Sequence, residues 1–283
     1  MQTDLELKQT VKEKYTEIAN QPLSQNLTSC CGATGCSTEV YNIMSDDYTQ
    51  LEGYNADADL GLGCGLPTEF ALLKPGQTVI DLGSGAGNDC FIARKIVGEQ
   101  GNVIGIDFTD AMIAKAKLNA EKLNFSNVTF RQGDIEDMPV ADNYADVVVS
   151  NCVLNLVPNK QKVISEIYRV LKPGAHFSIS DIVIQGDQLP QHWQAIAELY
   201  AGCVSGATQQ VTYLNYIKEA GFENIKIQKE KEIVIPNNIL ANYLSQAEID
   251  KYNNGNTKIV SITVFAQKPS LESNCCPPNS GCC

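Results

Sequence analysis

The chain has 283 residues, 43% of them hydrophobic, which is enough for one large folded domain with flanking segments. Its formal net charge of −12 and isoelectric point near 4.6 disfavour a nucleic-acid partner, because binding to phosphates requires a basic surface. The sequence contains neither a run of about eighteen apolar residues nor a signal peptide. We therefore expect a cytoplasmic, monomeric protein that acts on a small molecule and has no membrane partner.

Taken in chain order, the pattern first predicts a charged amphipathic helix over residues 4–20. Residues 21–59 are rich in Ser, Thr, Asn, Gly and Asp, which predicts a loop or a mobile flap. After Lys74-Pro75-Gly76, short apolar runs alternate with helical segments, as in a mostly parallel sheet covered by helices. Strands are predicted at 78–82, 103–107, 128–132, 146–150, 176–183, 225–235 and 259–266. Helices are predicted at 88–97, 110–123, 160–171, 191–200 and 212–220, with a turn at Lys172-Pro173-Gly174.

These elements divide the chain into three parts. We expect residues 1–59 to hold the first helix and a cysteine-containing flap, and residues 60–268 to form the main α/β domain. Residues 269–283 are rich in Pro, Ser, Asn and Cys and have too little apolar area to bury, so we expect a disordered tail.

The chain contains eleven cysteines and only two histidines, His176 and His192. Because the cytoplasm keeps thiols reduced, we interpret the cysteines as ligands or reactive thiols rather than as disulfide partners. The presence of only two histidines disfavours both a mixed Cys/His zinc site and a Ser/His/Asp catalytic triad. Both histidines are therefore expected to be structural or surface residues.

A glycine-rich segment, Asp81-Leu82-Gly83-Ser84-Gly85-Ala86-Gly87, follows the first predicted strand. Glycines at such a point let the chain turn sharply and let a ligand approach the backbone, as in nucleotide-binding folds. The next strand ends in Asp107, whose carboxylate is placed to accept both hydroxyls of a ribose. The G-x-G-x-G spacing favours a methyltransferase over a dehydrogenase, although such glycines also occur for packing alone.

Two more residues fit a nucleoside pocket. Asp134, in Gln132-Gly133-Asp134-Ile135-Glu136, is placed to accept a hydrogen bond from an adenine amino group, and Phe108 is placed to pack on the adenine ring. The structural alternatives are a helix cap for Asp134 and a core side chain for Phe108. Together these motifs resemble the class I S-adenosylmethionine methyltransferase superfamily over residues 61–268.

That resemblance implies an α/β fold, Rossmann-like and doubly wound, with a mostly parallel sheet and an antiparallel last strand. It also implies S-adenosylmethionine as the cofactor. The cofactor-binding residues that it implies are Asp81, Gly83, Gly85, Gly87, Asp107, Phe108, Asp134, Ile135 and Asn151.

Three cysteines lie in loops that this fold brings to the carboxyl ends of its strands, where ligands bind in open α/β sheets: Cys64, Cys152 and Cys203. Trivalent arsenic is a soft centre suited to thiolates, and three thiolates leave it one lone pair to attack a sulfonium methyl group. No general base is needed for that step. The alternative is that each cysteine is a small buried hydrophobe, as we expect for Cys90 on its apolar helix.

At residues 61–67, 81–90, 150–158 and 201–207 the sequence resembles the arsenite methyltransferase family. The resemblance implies methyl transfer from S-adenosylmethionine to As(III) bound by Cys64, Cys152 and Cys203, giving mono- and then dimethylated arsenic in a detoxification pathway. It also implies a thiol reductant of the glutathione or thioredoxin type.

Other cysteines have open roles. Some members of this family relay disulfides through a further amino-terminal cysteine, and Cys30, Cys31 or Cys36 is a candidate. The tail pairs Cys275-Cys276 and Cys282-Cys283 either capture arsenic for delivery or are dispensable. Two other functions stay open from the sequence: methylation of a small organic acceptor such as a quinone precursor, and non-catalytic sequestration of a soft metal.

Overall fold

We analysed a computed structural model of the chain, which describes residues 3–21, 46–190, 193, 204 and 206–270. The predicted helix at 191–200 falls almost entirely outside the described residues, as do His192, Cys203 and the cysteines of the flap and the tail. Within the described ranges, no helix has the length and apolar character needed to cross a bilayer.

The described strands are β1 (Thr78–Leu82), β2 (Asn102–Asp107), β3 (Val128–Gln132), β4 (Ala145–Asn151), β5 (Leu171–Gln185), β6 (Thr208–Gln209), β7 (Glu223–Ile233) and β8 (Lys258–Gln267). They form one sheet in the order β3-β2-β1-β4-β5-β8-β7, with the two-residue β6 paired to β5. Strands β1 to β6 are parallel wherever they pair, and β8 lies antiparallel between β5 and β7. The predicted fold class is therefore confirmed, including its antiparallel last strand.

The described helices are α1 (Asp4–Asn20), α2 (Pro67–Phe70), α3 (Asn88–Val97), α4 (Asp110–Lys122), α5 (Lys160–Val170), α6 (Gln210–Glu219), α7 (Asn237–Leu240) and α8 (Gln246–Asn253). A 3₁₀ turn, Leu154–Leu156, follows β4. Helix α1 begins at a capping box, in which Thr3 and Glu6 each satisfy a backbone N–H of the other. Residues 46–66 contain turns but no helix or strand, in line with the predicted loop.

Alternation along the strands sends apolar side chains to both faces of the sheet. Ile80 and Val148 join one buried cluster with Ile164 of α5, whereas Val79 joins a second cluster with Phe91 of α3. Each fully buried aliphatic or aromatic side chain contributes roughly 1.5–3 kcal/mol relative to exposure. The sheet is thus held by helices on both faces, and α3 and α5 leave it on opposite sides.

The boundary around residue 171 differs from the sequence prediction. Helix α5 ends at Val170, and the residues predicted to form a turn already belong to β5. Leu171 is extended and pairs with Ala145, while Gly174 takes a positive φ of 78° and its N–H donates to the carbonyl of Lys268. Hydrogen bonds to neighbouring segments thus keep these residues in the strand, although a Lys-Pro-Gly sequence by itself predicts a turn. The short helices α7 and α8 were also not predicted.

Candidate active site

A pocket lies at the carboxyl edge of the sheet, where the segments after β1 and β4 separate. Crevices at such reversals of strand order are the usual ligand sites of open α/β sheets. All of the predicted cofactor-binding residues except Gly87 line it, together with Cys152 and residues of α1. The lining includes Asp81, Gly83, Gly85, Asp107, Phe108, Asp134, Ile135 and Asn151.

The glycine loop has the backbone conformation that its composition predicts. Gly83, Gly85 and Gly87 have φ values of 64°, 52° and 99°, a region that favours glycine. A Cβ on Gly83 would lie 2.4 Å from a methyl carbon of Val153, whereas one on Gly85 would meet only the sulfur of Met112 at 4.0 Å. Gly87 instead packs between Phe91 and Phe130, so its place in the fold is structural and it does not line the pocket.

Asp107 lies at the end of β2 and is 7% exposed. Its two carboxylate oxygens accept hydrogen bonds from the N–H groups of Gly85 and Thr109, at 3.0 and 2.8 Å. Burial raises the pKa of Asp107, and these backbone donors oppose that effect. Because each oxygen has further acceptor capacity, the carboxylate and the open backbone at Gly85 fit a ligand that carries a ribose diol.

Asp134 lies at the rim of the pocket and is engaged by helix α1. Lys8 Nζ lies 2.5 Å from a carboxylate oxygen of Asp134 and 2.5 Å from one of Glu136. The other oxygen of Asp134 accepts from the N–H of Glu136, which closes a turn rather than capping a helix. Lys8, Val11 and Tyr15 of α1 line the pocket, a role that the periodicity of this helix did not reveal.

Cys64 and Cys152 lie in one buried cluster at the same edge of the sheet, together with Leu156 and Trp193. They are 0% and 4% exposed. The N–H of Cys64 donates to Asn151 Oδ1 at 3.0 Å, and the N–H of Cys152 donates to the carbonyl of Ser180 at 2.8 Å. Two of the three predicted arsenic ligands are therefore brought together beside the pocket.

The third predicted ligand, Cys203, is outside the described residues, but Val204, which follows it, is fully buried in the same cluster. In the part of the chain that is described, no group of three or more His, Cys, Asp or Glu side chains is arranged to hold a metal ion.

Cys90 is buried on α3 in a different cluster from the other two thiols. Its thiol donates to Asp81 Oδ2 at 3.2 Å. Burial, followed by the nearby Asp81 carboxylate, raises the pKa of the Cys90 thiol. This placement agrees with the expected core position and separates Cys90 from the candidate ligands.

Asp181 and Tyr213 form a buried pair that the sequence analysis did not single out. Asp181 is 1% exposed, and burial raises its pKa to about 7. Its oxygens accept from the N–H of Ile182 at 2.9 Å and from the Tyr213 hydroxyl at 3.4 Å. Burial, then Asp181 and the two thiols Cys64 and Cys152, raise the pKa of Tyr213. A carboxylate inside the apolar strand Ser178-Ile179-Ser180-Asp181-Ile182-Val183 was the signal available in the sequence.

The known proteins to which the chain is similar include methyltransferases that act on arsenic. Residues 73–221 match the family described as "Methyltransferase domain". The chain is 40% identical over 280 residues to an arsenite methyltransferase of Halobacterium salinarum, covering 94% of this chain and 68% of that protein. It is 33% identical over 249 residues to an arsenite methyltransferase of Aquipseudomonas alcaligenes, covering 84% and 68%.

Among solved structures, the chain is similar to CrArsM, an arsenic(III) S-adenosylmethionine methyltransferase from Chlamydomonas reinhardtii. The TM-score is 0.61 at 30% sequence identity, over 84% of this chain and 75% of that one.

The substitution Asp181→Asn is expected to make the free energy of unfolding less dependent on pH. In the folded chain Asp181 keeps its proton up to about pH 7, whereas in the unfolded chain it ionises near pH 4. The folded state therefore binds the extra proton over this range, and wild-type stability falls as pH rises from about 4 to 7, by at most about 4 kcal/mol. The stability of the variant relative to wild type should grow over that range and level off above it.

Urea unfolding at intervals between pH 4.5 and 8 measures this difference. Asp187→Asn, on the exposed turn after β5, controls for the loss of one carboxylate. Parallel stability curves for wild type and Asp181→Asn would contradict the prediction.

Proposed function

The chain belongs to the arsenite methyltransferase family, and we propose that it transfers a methyl group from S-adenosylmethionine to trivalent arsenic bound by Cys64, Cys152 and Cys203. Arsenite, which takes all three sulfur ligands, is the first acceptor. Methylarsenite is the second and takes two sulfur ligands, because its methyl group occupies the third bond of arsenic. The observation that carries this proposal is the burial of Cys64 and Cys152 in one cluster beside a pocket built from the glycine loop and Asp107. The burial of Val204 in that cluster supports Cys203 as the third ligand.

The cofactor supplies an electrophilic methyl group on a positively charged sulfur. Asp107 would hold the ribose hydroxyls, and the open backbone at Gly83 and Gly85 would lie against the nucleoside. Phe108 and Ile135 would flank the adenine ring, and Asp134, which is paired with Lys8, would border its amino group. Asp81 and Asn151 bound the amino-acid end of the pocket.

Arsenic is the substrate, and the cysteines are its ligands. When each thiol displaces a hydroxyl from arsenite, a sulfur–arsenic bond forms, an arsenic–oxygen bond breaks, and the thiol proton leaves with the hydroxyl as water. Three sulfur ligands from separate loops leave one lone pair whose direction they determine. Holding that lone pair toward the methyl carbon, with the reacting atoms about 3–3.5 Å apart, contributes up to roughly 7–11 kcal/mol.

The new arsenic–carbon bond takes its electron pair from arsenic, while the carbon–sulfur pair leaves with the cofactor sulfur. Arsenic is oxidised by two electrons, and two thiolates that become a disulfide return them. A cellular thiol of the glutathione or thioredoxin type then reduces the disulfide. The cytoplasm, which keeps thiols reduced, is the compartment that suits this cycle, and the protein works there as a monomer.

The remaining candidate cysteines act as auxiliary thiols. One of Cys30, Cys31 and Cys36 exchanges disulfides with the ligand cysteines, and the pairs Cys275-Cys276 and Cys282-Cys283 capture arsenic for delivery. The division of the chain after residues 59 and 268 stays a prediction.

The first test is methyl transfer from labelled S-adenosylmethionine to arsenite with excess thiol. Cys64→Ser and Cys152→Ser are expected to lower arsenic-dependent methylation about 100-fold or more, because a serine hydroxyl is a poor ligand for a soft centre. Cys203→Ser should behave in the same way. Cofactor affinity, measured by titration calorimetry, should stay within about twofold of wild type, since the loss concerns arsenic alone.

Cys90→Ser is the matched control: it removes a buried thiol that lies in another cluster and retains a donor to Asp81. Wild-type protein that binds cofactor but yields no arsenic-dependent product would sink the proposal and favour an organic acceptor such as a quinone precursor. Arsenite binding without cofactor binding would favour sequestration instead.

The cofactor site is tested by Asp107→Ala. This change removes a charged acceptor from the ribose hydroxyls and is expected to raise the dissociation constant for S-adenosylmethionine about 10- to 100-fold. Asp110→Ala, which removes an exposed carboxylate paired with Lys12, is the control. Calorimetry that gives the same affinity for Asp107→Ala and wild type would contradict the assignment.

The auxiliary thiols are tested separately from the ligands. Replacing Cys30, Cys31 and Cys36 together by serine should slow turnover when reductant is limiting and leave it unchanged when reductant is in excess. Deleting residues 272–283 should lower the rate at low arsenite concentration, because the tail cysteines would no longer capture arsenite and raise its concentration near the active site. At high arsenite concentration the rate should equal that of wild type. If the triple serine variant turns over like wild type at limiting reductant, the relay role is excluded. If the deletion variant turns over like wild type at low arsenite, the capture role is excluded.

A further inference from the structure

The side chain of Asn151 binds the backbone on both sides of the Cys64-Gly65 segment. Its Oδ1 accepts from the N–H of Cys64 at 3.0 Å, and its Nδ2 donates to the carbonyl of Gly65 at 2.8 Å. Asn151 ends β4 and directly precedes Cys152. One amide group therefore links the loop that carries the first candidate ligand to the strand end that carries the second.

Tyr48 holds this amide in its orientation. The hydroxyl of Tyr48 accepts a hydrogen bond from Asn151 Nδ2 and lies 3.0 Å from the Gly65 carbonyl and 2.9 Å from Asp89 Oδ2. Burial and the nearby Asp89 raise the pKa of Tyr48, so the hydroxyl keeps its proton and donates to one of these acceptors. Asp89 is fixed in turn by the Thr68 hydroxyl at 3.2 Å.

These partners determine which end of the amide faces Cys64. Asp89 Oδ2 lies 3.3 Å from Asn151 Nδ2, and the Gly65 carbonyl is also an acceptor. A flipped amide would direct its oxygen at both acceptors and its nitrogen at the Cys64 N–H, losing every one of these hydrogen bonds. The network is therefore satisfied in one orientation, which is the one that binds Cys64.

The loop itself lies too close to its neighbours to tolerate side chains beside Cys64. A Cβ on Gly63 would lie 2.6 Å from Asn151 Nδ2, and a Cβ on Gly65 would lie 2.5 Å from Ser180 Oγ. The carbonyl of Ser180 also receives the N–H of Cys152. The Cys64 backbone is thus hydrogen-bonded to Asn151 at the end of β4, and the Cys152 backbone is hydrogen-bonded to Ser180 within β5.

We propose that Asn151 and Tyr48 are positioning residues that set the separation and orientation of the Cys64 and Cys152 thiols for arsenic. The role rests on the proposed function and extends it to two side chains that touch no arsenic. A soft centre bound by several sulfurs accepts a narrow range of sulfur positions. Loops already held in that range lose less conformational entropy when the substrate binds, so affinity depends on the residues that hold them. Partners that orient metal ligands typically change affinity or activity 10- to 100-fold when they are removed.

The test is Tyr48→Phe, which removes one hydroxyl and retains the buried ring. Arsenite binding is titrated in the absence of S-adenosylmethionine, through the ultraviolet absorbance of arsenic–thiolate bonds, and cofactor binding is measured separately by calorimetry. We expect the arsenite dissociation constant, measured without cofactor, and the KM for arsenite to rise about tenfold. Because Tyr48 also lines the pocket, the positioning role requires this loss to exceed any change in cofactor affinity. Tyr168→Phe, whose ring packs on Phe222, is the matched control and should bind arsenite like wild type.

Gly63→Ala perturbs the same hydrogen-bond network, because its added Cβ would displace the Asn151 amide. It should weaken arsenite binding by a similar factor, and it keeps the proposal testable if Tyr48→Phe is unstable. Wild-type arsenite affinity in both folded variants would overturn the positioning role and leave the proposed function intact. If wild type itself neither binds nor methylates arsenite, the proposed function fails instead.

Discussion

The architecture of the site depends on one topological constraint, the divergence of the chain after two neighbouring parallel strands. The segment after β1 leads into α3 on one face of the sheet, and the segment after β4 leads into α5 on the other. A crevice opens between them at that edge of the sheet. The glycine loop forms one wall of this crevice, and Asn151 with Cys152 forms the other.

The two walls meet different chemical requirements. On the proposed nucleoside side the backbone has to come close to the ligand, and glycines with positive φ and the buried Asp107 are found there. On the side proposed to bind arsenic the requirement is a fixed spacing of soft ligands without a base, and Cys64 and Cys152 are buried there with backbones held by hydrogen bonds. Both walls are joined through Asp89, which belongs to the helix after the glycine loop and contacts Tyr48 and Asn151.

Carboxylates surround this crevice, which is unusual for a buried edge because removing a charge from water is costly. Asp81, Asp89 and Asp107 all line the pocket, and burial raises the pKa of each. A positively charged ligand such as a sulfonium cofactor would stabilise the ionised form of these carboxylates and oppose the effect of burial, so the pocket favours a ligand of that charge. The net negative charge of the chain disfavours a nucleic-acid partner, and the carboxyl groups of the pocket suit the cationic cofactor of the proposed reaction.

The sequence by itself determined the elements whose signals are local. The bounds of α1, α3, β1 and β3 follow from apolar periodicity and flanking glycines, and the glycine loop with Asp107 follows from its place after two strands. Only the tertiary structure decided which distant groups meet. Lys8 engages Asp134 across 126 positions in the chain, and Cys64 binds Asn151 across 87. The packing of Gly87 between two phenylalanines and the burial of Asp181 are of the same kind. Periodicity reports which face of an element is buried, but the partner opposite each side chain depends on how remote segments dock, and that information is not local.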